Sequence, residues 1–151
     1  MSNLINLGCD VSDVHRRYAE IHGALFGITS YRMVIYALKG ESRSMYSDYE
    51  HRLKGLEEEL AEHISSIKNT DLPLRNSADL HDSLIEYTRI LSQVISGLKS
   101  ICSQLKDEED DYRSSADNGQ SRFLQDKVQY DYSIRELERI GTKLNKLFST
   151  Y

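Results

Sequence analysis

With 151 residues and a formal net charge of −5, the chain can bury a sizeable core and needs neither a metal nor a disulfide to fold. One proline and eight glycines exclude a sandwich, a barrel or a linker-type chain, and the acidic balance disfavours nucleic acid and anionic membrane as partners. Cys9 and Cys102 form no disulfide framework, and the first eight residues lack the basic and apolar regions of a signal peptide, so a reducing, cytoplasmic setting is expected.

Residues 1–9 read as a flexible lead. Asp10 or Ser12 can cap a first helix over residues 11–38, whose apolar stripe is Val11, Val14, Tyr18, Ile21, Leu25, Ile28 and Ile35. Gly40 is a natural stop, and Ser47 to Glu50 has capping-box spacing, so a second helix is expected over residues 43–68. Its stripe is Tyr46, Tyr49, Leu53, Leu56, Leu60 and Ile67. The 3-4 phase survives the gap, which leaves one bent helix over residues 11–67 open.

Asn69 to Asn76, with Pro73 inside, is the clearest loop. Ser77 caps a third helix over residues 78–106, striped by Leu80, Leu84, Tyr87, Leu91, Val94, Leu98, Ile101 and Leu105. The acidic run from Asp107 to Asp111 opposes a helix C-terminus, and Asp117-Asn118-Gly119 signals a turn, so residues 107–119 read as an acidic loop. A fourth helix is expected over residues 121–148, with Phe123, Tyr130, Ile134, Leu137, Leu144 and Phe148 on its stripe.

Each stripe must be buried against the others. Four helices of similar length predict a single all-α domain, an antiparallel up-down-up-down four-helix bundle. The alternative is a long antiparallel helical hairpin, a coiled coil that dimerises.

Function is less legible. Ala24 to Leu38 is apolar all round its helix, and a bundle helix keeps an outer face, so this stretch has more apolar surface than its neighbours can cover. Phe26, Tyr31, Met33, Val34 and Tyr36 are therefore the expected partner-binding residues. Arg32 falls on the seam and needs an anion, either a carboxylate of a neighbouring helix or a ligand. Ala19, Gly23 and Gly27 recur every four residues, a pattern that favours close packing. Ten tyrosines against three phenylalanines suit surfaces with one dry and one wet end.

There is no Glu-x-x-His pair of the kind di-metal bundles use, no Walker-type loop, no dinucleotide fingerprint and no nucleophile elbow. His15 and His22 stand two turns apart, too far to share a metal unaided, and His63 at a seam position reads as a core histidine. The expected protein is thus a small non-catalytic interaction module without cofactor or metal: an assembly subunit, a chaperone-like adaptor or an inhibitor. Its partner is another protein or a second copy, with a homodimer the expected form. A ligand- or metal-binding bundle built on Arg32, His63 and the seam tyrosines is the alternative.

Overall fold

A computed structural model describes residues 2–26, 42–70, 77–110 and 116–149. They form four helices: α1 (Ser2–Phe26), α2 (Ser42–Lys68), α3 (Ser77–Asp110) and α4 (Ala116–Ser149), with no strand among the described residues. Contacts between the helices fix their directions. Arg17 of α1 bonds Glu59 of α2, and Ala24 and Arg52 line the same cleft further along. Lys99 of α3 pairs with Glu57 of α2, while His81 reaches the Ile67 carbonyl. Gly97 of α3 meets Tyr130 of α4, and Gly141 of α4 meets Tyr87 of α3. Tyr18 of α1 meets Tyr130, and Gly8 meets Phe148.

In every pair one number rises as the other falls, so each helix runs antiparallel to both of its neighbours. This is the up-down-up-down four-helix bundle. A hairpin would keep α1 off α2 and α3 off α4, and a single helix over residues 11–67 would hold Arg17 far from Glu59. The described residues of the first half therefore form two antiparallel helices.

The apolar seam is the core. Val11, Val14, Tyr18, Ile21 and Leu25 are buried on α1, and Tyr46, Leu53, Leu56, Leu60 and Ile67 on α2. Leu80, Leu84, Leu91, Val94, Leu98 and Ile101 are buried on α3, and Tyr130, Leu137 and Leu144 on α4. Burial of such side chains stabilises by about 1.5–3 kcal/mol each, and this term drives the four stripes together. Cys102, beside the seam, is also fully buried.

Three boundaries differ from the sequence expectation. α1 begins at Ser2, so residues 2–9 are helical rather than a flexible lead. The reason is packing: Leu4 is buried in the core and Leu7 packs against it, which continues the 3-4 seam upstream of Val11. The capping potential of Asp10 and Ser12 is overridden, and both lie exposed within the helix. α3 runs on to Asp110, and α4 starts at Ala116, so residues 107–110 and 116–119 are helical rather than part of a long acidic loop. Dipole repulsion at a helix end costs only about 0.3–1 kcal/mol, too little to stop a helix of good formers. Asp117 and Asn118 fall in the first turn of α4, where those residue types are favoured.

Ser77 opens α3 and Asp79 sits in its first turn, as expected. Lys68 and Lys146 occupy the last turns of α2 and α4, where a cation complements the dipole.

Candidate functional site

The expected interface falls mostly outside the described residues: Tyr31, Arg32, Met33, Val34 and Tyr36 all do, as does Gly27. Phe26 is described, and it does not face outward. It closes α1 half-buried, packed against the core, with its ring centroid 5.0 Å from that of His22 and 5.9 Å from that of Tyr130. The Lys127 ammonium lies 4.7 Å from its ring centroid, within cation–π range. Phe26 thus belongs to the α1–α4 seam. The small residues beside it have no packing role: Ala19 is exposed, and nothing lies within 4 Å of where a Gly23 Cβ would be.

Phe26 is the last member of a ladder that 3-4 spacing builds on α1. His15, Tyr18, His22 and Phe26 project on one face; His15 and Tyr18 stack at 5.9 Å, and Tyr18 and His22 at 6.0 Å. From α4, Tyr130 inserts its hydroxyl among them. It bonds the Tyr18 hydroxyl and stands 2.6 Å from His22 Nδ1. Gly97 makes room on the other side, since a Cβ there would lie 3.4 Å from the Tyr130 ring. Tyr130 is only 2 % exposed.

Burial pushes the Tyr130 phenol strongly up, with the Tyr18 phenol adding to it, and burial pushes Tyr18 up to about 12. Burial also lowers His15, and it lowers His22 with help from Lys127. Both phenols are therefore neutral, and the histidines favour the neutral form. One arrangement employs both hydroxyl protons: Tyr18 donates to the Tyr130 oxygen, and Tyr130 donates to Nδ1 of neutral His22. The chain of donors runs from Tyr18 through Tyr130 to His22 and ties α1 to α4.

A cleft of about 410 Å³ opens between α1 and α2, lined by Arg17, Glu20, Ile21, Ala24, Tyr49, Arg52, Gly55, Leu56 and Glu59. Ala24 and Gly55 leave the space, and nothing lies within 4 Å of a Gly55 Cβ. Its rim charges neutralise one another. Arg17 grips Glu59 with two bonds of 2.7 Å and reaches Asp13 at 3.0 Å. Arg52 pairs with Asp48, and Glu20 with Arg16. Hydrogen bonding to Arg17 holds the Glu59 carboxyl below its usual range.

Among the described residues no three His, Cys, Asp or Glu side chains are grouped to hold a metal. His63 is half-buried, and His15 and His22 flank Tyr18 in the ring ladder. No described helix is long and apolar enough to cross a membrane. Both cysteines are free; Cys9 is exposed on α1, and burial pushes the Cys102 thiol up to about 12.

The feature sequence reasoning missed lies on the outer face of α4. Leu124 is 53 % exposed, Val128 68 % and Tyr132 58 %, and they stand at i, i+4 and i+8. Gln125 and Gln129 extend this face, and Asp131, whose side chain is 39 % exposed, borders it. The nearest charges, Lys127 and Asp131, pair at 2.6 Å. A signal was present in the sequence: the fourth helix carries a second apolar row on the side away from Tyr130. No protein-family model matches this chain, nor does any curated protein or solved structure.

Proposed function

We propose that this chain is a small, non-catalytic protein-interaction module of the assembly-subunit, adaptor or inhibitor kind. It acts in the cytoplasm and docks another protein or a second copy through apolar helical surface. One observation carries the reading: the row Leu124, Val128 and Tyr132 is apolar, aligned and left open by the bundle. Single exposed apolar residues are ordinary, but an aligned apolar row at i, i+4 and i+8 is the form a docking helix takes. The buried aromatic ladder supports the same reading from the other side. Its hydroxyls and His22 Nδ1 are bonded to one another, which suits a structural tie between helices.

The test is association with and without Val128→Glu. Light scattering over a range of concentrations reports self-association, and retention of other proteins on the immobilised chain reports foreign partners. The expected result is that Val128→Glu removes association while its circular dichroism and melting match the unmodified chain. Association that survives Val128→Glu, Leu124→Glu and Tyr132→Glu alike refutes the reading.

The ligand-binding alternative has the α1–α2 cleft in its favour, since about 410 Å³ lies within the range of small-molecule sites. A ligand there would raise the melting temperature by mass action, and Gly55→Leu, which fills the cleft, would remove the effect.

A further inference from the structure

We infer that the link from His22 to Tyr130 and Tyr18 is a proton-operated clasp: one proton on His22 undoes it and opens the α1–α4 seam while α1 stays tied to α2. The inference is independent of what the outer face of α4 docks. Three observations lead to it.

The first is a count of donors. The three groups share two links, Tyr18–Tyr130 and Tyr130–His22 Nδ1. With Nδ1 bare, the two hydroxyl protons fill both links and none is left over. An imidazolium carries a proton on each nitrogen, so a flip of the ring does not restore the acceptor. Nδ1–H must then donate to the Tyr130 oxygen, and three protons compete for two links. One hydroxyl proton, on Tyr18 or on Tyr130, is left without an acceptor in the ladder. Tyr18 is 4 % exposed and Tyr130 2 %, so water is kept from replacing it, whereas half-buried His22 stands where a proton can reach it.

The second is charge. On α1 the rings of Tyr18 and Phe26 flank His22, and His15 stands beyond Tyr18. From α4, Lys127 and Asp131 are the charges that act on His22 among the described residues, and no α2 group joins them. Cys102 and Tyr87 of α3 act only one step away, on Tyr130 and Tyr18. The Lys127 ammonium already lies over the Phe26 ring and 5.8 Å from the Tyr130 ring centroid, so an imidazolium would arrive beside an existing cation. Asp131 offsets this only in part, because its carboxylate is bonded to Lys127 at 2.6 Å.

The third is the separation of two pH windows. The link is complete above pH 6.5 and fails as pH falls through the lowered folded value of His22. Arg17 holds α1 to α2 through Glu59, whose carboxyl is kept below its ordinary 4.5. The α1–α4 edge therefore opens in mild acid, before the α1–α2 edge is touched.

The experiment uses the full chain with Cys9→Ser, which leaves Cys102 as its single thiol. Cys102 is fully buried on α3 and close enough to Tyr130 to act on its phenol, so it reports an open seam. Dithiodipyridine labels thiols in acid as well as at neutral pH, and each rate is taken relative to the urea-unfolded chain at the same pH. From about pH 7.5 to about pH 5.5 the relative rate should rise about tenfold while far-ultraviolet circular dichroism stays constant. His22→Gln should abolish the rise. Tyr18→Phe/Tyr130→Phe keeps the rings and His22 but has no hydroxyl to strand, so it should abolish the rise as well. His15→Gln, which takes no part in the link, should keep it. Each variant is compared with its own rate at neutral pH, and the profile of the unsubstituted ladder decides even where a variant fails to fold. A relative rate that does not rise before helix is lost overturns the inference, and so does a rise that persists in His22→Gln or in the double variant.

Discussion

The hydrogen-bonded pair Tyr18–Tyr130 is the sharpest test of how α1 is held to α4. Tyr130→Phe removes the one hydroxyl that serves both Tyr18 and His22. It leaves the Tyr18 hydroxyl stranded on a residue only 4 % exposed. A buried polar group without a partner costs about 1–3 kcal/mol, and half-buried His22 can recover part of its own loss from water. A destabilisation of about 2 kcal/mol follows for Tyr130→Phe.

Tyr18→Phe should cost less, about 1 kcal/mol, because Tyr130 keeps His22 as its acceptor and nothing is left as an unused donor. The double variant decides the matter. Once Tyr130 has lost its hydroxyl, removing that of Tyr18 deletes the stranded group, so the second change should be neutral or stabilising. The double variant is then less destabilised than the sum of the singles by about 1 kcal/mol or more. Urea unfolding followed by circular dichroism measures all four corners of the cycle. Additivity within about 0.5 kcal/mol would refute the shared hydrogen-bond chain.

The remaining tests are simpler. His15 and His22 are lowered from 6.5 in the folded state, so the unfolded chain binds more protons as pH falls below that value. Stability is therefore full above pH 6.5 and is lost as pH drops toward the depressed folded values; a His15→Gln/His22→Gln variant should flatten this loss, and an unchanged acid slope would count against it. The lowered carboxyls of Asp13 and Glu59 act in a separate window, below their ordinary 3.8 and 4.5. Gly23→Ala should raise stability by about 0.5–1 kcal/mol because the helix gains propensity and the site is open, whereas Gly8→Ala should give no such gain. A Cβ at residue 8 would come within 2.7 Å of the Phe148 ring, and urea midpoints would separate the two. Ellman's reagent should titrate Cys9 alone in the native protein and Cys102 only after unfolding; rapid reaction of both would show that the core is open at Cys102.

The bundle was legible in the sequence because one signal repeats along each helix. Every described stripe residue from Val11 to Leu25 is buried, and so is the third-helix stripe from Leu80 to Ile101 apart from half-buried Tyr87. Ends were less legible, because caps and dipoles contribute about 1 kcal/mol each while core packing contributes more. Leu4 and Leu7 decide where α1 begins, and their partners lie on helices far away in sequence. The ladder His15, Tyr18, His22 and Phe26 has helical spacing, but its meaning depends on Tyr130 arriving from α4, which spacing alone does not give. Phe26 shows the limit well. Periodicity put it off the seam, yet the half-open α1–α4 side draws it in, beneath Lys127 and against Tyr130.

Val128 and Tyr130 stand two residues apart on α4 and serve opposite sides of it. Tyr130 is buried among three side chains of α1 and holds the bundle together. Val128, at 68 % exposure, contributes little to the core, and a charged residue there should leave the bundle's stability within about 0.5 kcal/mol. The same holds for Leu124 and Tyr132. Folding thus supplies no reason for an apolar residue at any of the three positions, while exposure of the row makes the chain more prone to associate. Association is the property those residues do affect. A substitution that leaves the melting curve in place and changes the mass in solution would separate the two roles of α4 in one protein.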